Sequence, residues 1–247
     1  MPSDSHQKKA FSLAEVLITL GIIGVVASLV IPTLIQRSDE RANVASLKKA
    51  YSTLSSAFTL AVQENGTPDT WGLVAGHSTV MINTIKPYLR VTKDCTDGSK
   101  GCFPGEVNYM HLSSSRGIMA LVDDQVRPKV KLADGTLMMS YVESATCSSE
   151  MGDTPALKNI CGTYTIDING YKKPNILGQD FFSFWLTKYG IIPIGSAQET
   201  DSTAFTVDCK DRNNSNGYGC AAWVIYNDNM DYLHCTDLTW GGKTKCN

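Results

Sequence analysis

The chain has 247 residues, of which 43% are hydrophobic and 19% charged, enough apolar material for a packed core and too much for wholesale disorder. A formal net charge of −2 leaves no global electrostatic footprint for nucleic acid. The distribution excludes more than the averages do. None of the 8 cysteines precedes Cys95, whereas the only strongly apolar stretch precedes Ser38, a division that argues against an ordinary cytosolic enzyme.

The first element is FSLAEVLITLGIIGVVASLVIPTLI, from Phe11 to Ile35, with Glu15 as its only ionisable side chain. As a helix rising ~1.5 Å per residue it would be roughly 37 Å long, enough to cross a hydrocarbon layer of ~30 Å. A short polar leader ending in Lys8 and Lys9 precedes it, and Arg37 and Arg41 beyond it are offset by Asp39 and Glu40. The slight basic bias favours a leader held in the cytoplasm with the rest crossing over. A secretory signal peptide is the rival, but it needs a shorter apolar core followed by a small-residue cleavage site. Here the run flows directly into a second helix. Gly24 and Ser28 form a small pair that would allow close helix approach.

The string KKA-FSLAE followed by a long apolar helix resembles the leader and start of type IV pilins and type II secretion pseudopilins. The resemblance implies cleavage by a prepilin peptidase between Ala10 and Phe11, and N-methylation of Phe11. It places Glu15 where the family pairs a carboxylate with a neighbour's terminal amine during assembly, and Pro32 where the family carries a helix-kinking proline. Ala10 departs from the glycine usual before the cut. The physics agrees, because an amine and a carboxylate attract strongly in low dielectric while either alone in lipid is penalised. The implied organisation is a leader at 1–10, a membrane-spanning and assembly helix at 11–35, an amphipathic helix at 36–66 and an extracytoplasmic head at 67–247. Implied partners are the prepilin peptidase, an assembly ATPase with its membrane platform, sister pilin or pseudopilin subunits, and membrane lipid before assembly. The implied location is the bacterial inner membrane, single-pass with the amino terminus inside, and then a periplasmic or cell-surface filament.

Pro32 lacks an amide donor and crowds the preceding turn, which predicts a kink or local melting there. Beyond it Val44, Leu47, Tyr51, Leu54, Phe58 and Ala61 recur every three or four residues, one apolar stripe of an amphipathic helix. Asn65-Gly66 followed by Pro68 stops it. From Trp71 the pattern turns to short β-like runs. KVKLADGTLMMSYV is a hairpin around Asp134-Gly135, and GTYTIDI, FFSFWLT and IIPI read as further strands. Runs this close in sequence predict an antiparallel meander. Packing that sheet on the long helix gives an α+β head, the architecture that the resemblance also implies.

Cys95, Cys102, Cys147, Cys161, Cys209, Cys220, Cys235 and Cys246 all follow the membrane segment, and an even number outside the cytoplasm argues for disulfides. Connectivity is not deducible among 105 pairings, and sequential closure is preferred because each loop is short and polar. Zinc is disfavoured, since no C-x₂-C pair exists and His234 has no ligand partner at suitable spacing. Asp167, Asn169, Asn175 and Asp180 offer side-chain oxygens around a turn in DINGYKKPNILGQD, a pattern that suits calcium, although Lys172 and Lys173 oppose it. Calcium is the one cofactor considered; otherwise none is expected.

No hydrolase, metalloprotease, P-loop or dinucleotide motif is present, and His6, His77, His111 and His234 are scattered. Asp123-Asp124 reads as a solvated turn. The chain is expected to be a substrate of enzymes, not an enzyme. Two roles stay open: a structural filament subunit, or a minor tip subunit whose head binds a surface, DNA or secreted cargo. Nucleic acid enters only under the second. A membrane-anchored hydrolase with an unrecognised site is the third and weakest reading.

Overall fold

The computed structural model describes residues 12–76, 78–99, 101–103, 110–113 and 127–246. The chain divides into two units, one ending at Glu40 and one running from Arg41. One helix, α1 (Leu13–Asn65), begins in the first and continues into the second.

In the first unit α1 is helical without interruption on both sides of Pro32, so the melting expected there does not occur. A proline inside a helix removes one hydrogen bond, and neighbouring hydroxyls bond locally: Ser28 Oγ donates to the Val25 carbonyl and Thr33 Oγ1 to the Val30 carbonyl, each at 2.8 Å. Apart from Ala27, every residue from Ser12 to Asp39 is exposed. Leu13 is 80% and Leu29 70% exposed.

The second unit is built on a six-stranded antiparallel meander in chain order: β1 (Val91–Cys95), β2 (Lys129–Leu132), β3 (Leu137–Val142), β4 (Ile160–Asp167), β5 (Phe181–Thr187) and β6 (Ile191–Pro193). Alternation along the strands sends one set of side chains toward α1. Val130, Met138, Ile166 and Phe182 stand opposite one another across four strands, with Tyr164 opposite Phe184 in a neighbouring row. From α1, Val44, Leu47, Leu54 and Phe58 complete that core. Each large side chain so buried contributes about 1.5–3 kcal/mol. Tyr51 stacks on Phe184 with ring centres 5.6 Å apart, and its hydroxyl donates to the Ile191 carbonyl at 3.2 Å.

The opposite sheet face holds a smaller cluster of Leu137, Met139, Leu177, Phe181 and Phe103 around Cys95–Cys102. β5 is buried on both faces throughout, as expected for an apolar run without alternation. The short helix α2 (Val80–Ile85) docks on the sheet through Tyr164, whose hydroxyl donates to the Met81 carbonyl at 2.9 Å. The last part of the chain is mostly turns, carrying α3 (Phe205–Asp208) and α4 (Ala221–Asn227). Phe205 stacks on Trp223 at 4.2 Å between ring centres, and Trp240 packs against both. The expectation of β-like runs from Trp71 onward fails in this region, where paired cysteines and aromatic contacts hold irregular backbone. The architecture is α+β, a long helix packed on an antiparallel sheet.

Candidate assembly site

The start of α1 is a reciprocal cap. Ser12 donates its backbone N–H to Glu15 Oε2 at 2.8 Å and its hydroxyl to the same oxygen at 2.9 Å. The Glu15 amide donates back to Ser12 Oγ at 3.2 Å. Ser-x-x-Glu before an apolar run is the sequence form of this capping box, because a short hydroxyl and a carboxylate three residues apart satisfy amides that the first turn leaves open. The sequence reading singled out Glu15 for assembly and overlooked Ser12. Ala10 and Phe11, the expected cleavage pair, lie outside the described residues, as do His6, His77, Asp123 and Asp124. Beyond the cap, α1 is the one helix among the described residues long and apolar enough to cross a membrane. Its apolar side chains up to Ile35 face solvent, so this unit supplies no core of its own.

The cysteines lie in the second unit as four bridges: Cys95–Cys102, Cys147–Cys161, Cys209–Cys220 and Cys235–Cys246. They close loops of 7, 14, 11 and 11 residues, and each such constraint is worth about 2–4 kcal/mol when unstrained. Among the described residues no cysteine is free.

Asp167, Asn169, Asn175 and Asp180 do come together in one loop. Asp180 Oδ2 accepts from the Asn175 amide at 2.8 Å and from Asn169 Nδ2 at 3.0 Å, while Oδ1 accepts from the Ile176 amide at 2.7 Å. Asp167 Oδ1 accepts from the amides of Asn169 at 3.1 Å and Gly170 at 2.8 Å. A hard cation needs oxygens converging on a common point; the two carboxylates face N–H donors, whereas Asn169 Oδ1 and Asn175 Oδ1 are buried and accept no hydrogen bond among the described residues. The two carboxylates clasp the turn through these N–H donors. Burial raises the Asp180 carboxyl above the usual range, while its N–H partners pull the other way.

Two more carboxylates clasp loops in the same manner, and sequence gave no sign of either. Glu199, only 6% exposed, accepts from the amides of Gly195 and Ser196 and from the Thr203 hydroxyl at 2.9–3.2 Å. Burial pushes its carboxyl up to about 7. Asp208 accepts from the amides of Asn216, Tyr218 and Gly219 at 2.7–3.2 Å. His111 is near enough to Asp208 to act on it electrostatically, yet that carboxylate is committed to backbone amides. Glu199 and Asp208 sit beside a tight crossing: a Cβ on Gly195, at φ +95°, would fall 1.8 Å from the Gly219 carbonyl oxygen.

Residues 5–31 match the family model described as the prokaryotic N-terminal methylation motif, the signature of type IV pilins and pseudopilins. No curated protein and no solved structure matches the chain. The motif supports a type IV pilin-like or pseudopilin-like precursor, and it implies processing by a prepilin peptidase and assembly with other pilin-type subunits. Together with the apolar helix it fits anchoring in the inner membrane before assembly.

Proposed function

We propose that the chain is the precursor of a filament subunit of the type IV pilus or type II secretion pseudopilus kind. It inserts with its leader in the cytoplasm, is cut between Ala10 and Phe11, and is methylated on the new Phe11 amine. An ATPase-driven platform then moves it from lipid into a filament, where apolar helices of neighbouring subunits replace the bilayer. The observation that carries this reading is the methylation motif at residues 5–31 running into a helix whose apolar side chains are exposed. Glu15 is the one ionisable side chain between Phe11 and Ile35, and a carboxylate costs about 2.5–3.5 kcal/mol at mid-bilayer and less near the interface. Pairing it with a neighbour's amine relieves that cost only in the assembled state.

The reading gives the chain no catalytic step of its own. Its second unit, with four bridges and three carboxylate clasps, is a larger structure than is needed to cover a helix, which favours a minor or tip subunit over a bulk one. Such a head would contact a surface, DNA or a secreted cargo. Fractionation of sheared filaments tests both levels. Full-length protein recovered there in trace amounts supports the minor role, abundance equal to the bulk subunit supports the structural one, and complete absence overturns the filament reading.

A further inference from the structure

We propose that Ser12 is a positioning residue for assembly. It pins one oxygen of Glu15 and leaves the other as acceptor for the terminal amine of a neighbouring pilin-type subunit, an inference that rests on the filament reading above. Glu15 Oε2 holds both Ser12 donors, at 2.8 and 2.9 Å, and the Ser12 hydroxyl is itself oriented by the Glu15 amide at 3.2 Å. Among the described residues Oε1 accepts no hydrogen bond. In an ordinary soluble helix such a box does no more than start the first turn. Here the carboxylate is the only charged side chain between Phe11 and Ile35, in a run of exposed apolar side chains, which gives the box two further consequences.

Before assembly, two donors on the carboxylate reduce the cost of carrying it into or beside hydrocarbon, where an unsatisfied polar group is expensive. During assembly, a carboxylate already fixed through Oε2 loses little rotamer freedom when an ammonium arrives at Oε1. The incoming contact is a charge-assisted N–H···O bond, and forming it breaks none of the Ser12 bonds. Ser12 therefore acts through Glu15 and does not touch the partner's amine.

Substitutions at Ser12 separate this role from helix capping. Ser12→Thr keeps the amide and the hydroxyl. Ser12→Ala removes the hydroxyl and keeps the amide. Ser12→Asp still offers an oxygen to the Glu15 amide, so the helix is capped, and it keeps the backbone donor, but its side chain cannot donate to the carboxylate and repels it. Each full-length variant is expressed in cells with the native apparatus and scored for leader removal, incorporation into sheared filaments, and carbodiimide cross-linking. Carbodiimide condenses an amine with a carboxylate, losing water, so a peptide joining Glu15 to the terminal residue of a neighbouring subunit reports the pairing directly. The expected result is unchanged leader removal throughout, with near-normal incorporation and cross-linking for Ser12→Thr. Loss of one hydrogen bond to a charged group predicts about tenfold less of both for Ser12→Ala, and at least that for Ser12→Asp.

Normal cross-linking in Ser12→Asp would overturn the inference, as would a Ser12→Thr chain no better than Ser12→Ala. Cross-links formed only within single chains would also overturn it, because the acceptor would then serve the chain's own amine. If Glu15→Gln abolished incorporation while every Ser12 variant assembled normally, the filament reading would stand and the Ser12 inference alone would fall. An uncut wild-type chain would bring down both.

Discussion

The two units satisfy their apolar side chains in opposite ways. From Arg41 onward, Leu47, Tyr164, Phe182 and Trp223 are buried by the chain itself, against α1, the sheet and the bridged loops. Up to Glu40 the same helix exposes Leu13, Leu17, Ile18 and Leu29, with no partner supplied by its own unit. Helix formation is therefore not the same as burial. One unit is complete as a folded body, and the other leaves its apolar side chains without partners of its own. Chemistry follows the same line, since among the described residues charges in the first unit are confined to the Glu15 cap and the stretch after Ile35, whereas the second engages its buried carboxylates with backbone amides.

The largest expected break in this comparison is Glu15→Ala. Removal of the only carboxylate in the apolar run should leave leader cleavage intact and reduce filament incorporation to background, as read by immunoblot of sheared material. Within the folded unit the severest change is Gly195→Ala, which combines a positive φ with a Cβ 1.8 Å from a backbone oxygen. It should cost more than about 3 kcal/mol and yield little folded protein in detergent. Phe205→Ala, which removes the ring stacked on Trp223, should cost about 3–5 kcal/mol by thermal or denaturant melting of the solubilised full-length chain. Replacing Cys209 and Cys220 together by serine should cost about 2–4 kcal/mol, with leader cleavage unaffected.

A smaller effect sharpens the comparison by pH. The folded carboxyl of Glu199 stands near 7, above its ordinary 4.5, so between those values the folded state binds more protons than the unfolded one. Stability should then fall as pH rises from about 4.5 to 7, by about 2–3 kcal/mol if Glu199 acts alone. Burial moves Asp180 and Asp208 in the same direction. Asp69, lowered chiefly by its bond to Lys188, works the other way and loses its contribution only as pH falls below the ordinary carboxylate range. Melting across pH should show a maximum between the ordinary carboxylate values of 3.8 and 4.5, and Glu199→Gln should flatten the upper limb. The least effect belongs to Lys48→Ala: its 2.6 Å pair with the exposed Asp228 is a solvent-screened surface bridge, and its loss should leave the melting temperature nearly unchanged.

Much of the fold was legible where pattern and structure share a period. The stripe from Val44 to Ala61 is the buried face of α1, and Asp134-Gly135 turns β2 into β3. β1 was missed because VTKDC has exposed polar residues in the middle and joins the sheet through its backbone. α4 was missed because AAWVIYN is a short apolar run, for which periodicity cannot separate strand from buried helix. The aromatic group of Phe205, Trp223 and Trp240 comes from distant positions, and spacing carries no trace of it. The clasps at Glu199 and Asp208 were invisible for a different reason, since their partners are backbone amides and have no side-chain signature. The Ser12–Glu15 box is legible in the sequence as Ser-x-x-Glu ahead of an apolar run.

The central claim is that the apolar, exposed start of α1 belongs to a processed and assembled chain. Intact mass and amino-terminal sequencing of the protein from its native membrane address this most directly. The account predicts a chain beginning at Phe11 with a methylated amine. A chain still beginning at Met1 would contradict it and leave α1 as a plain membrane anchor.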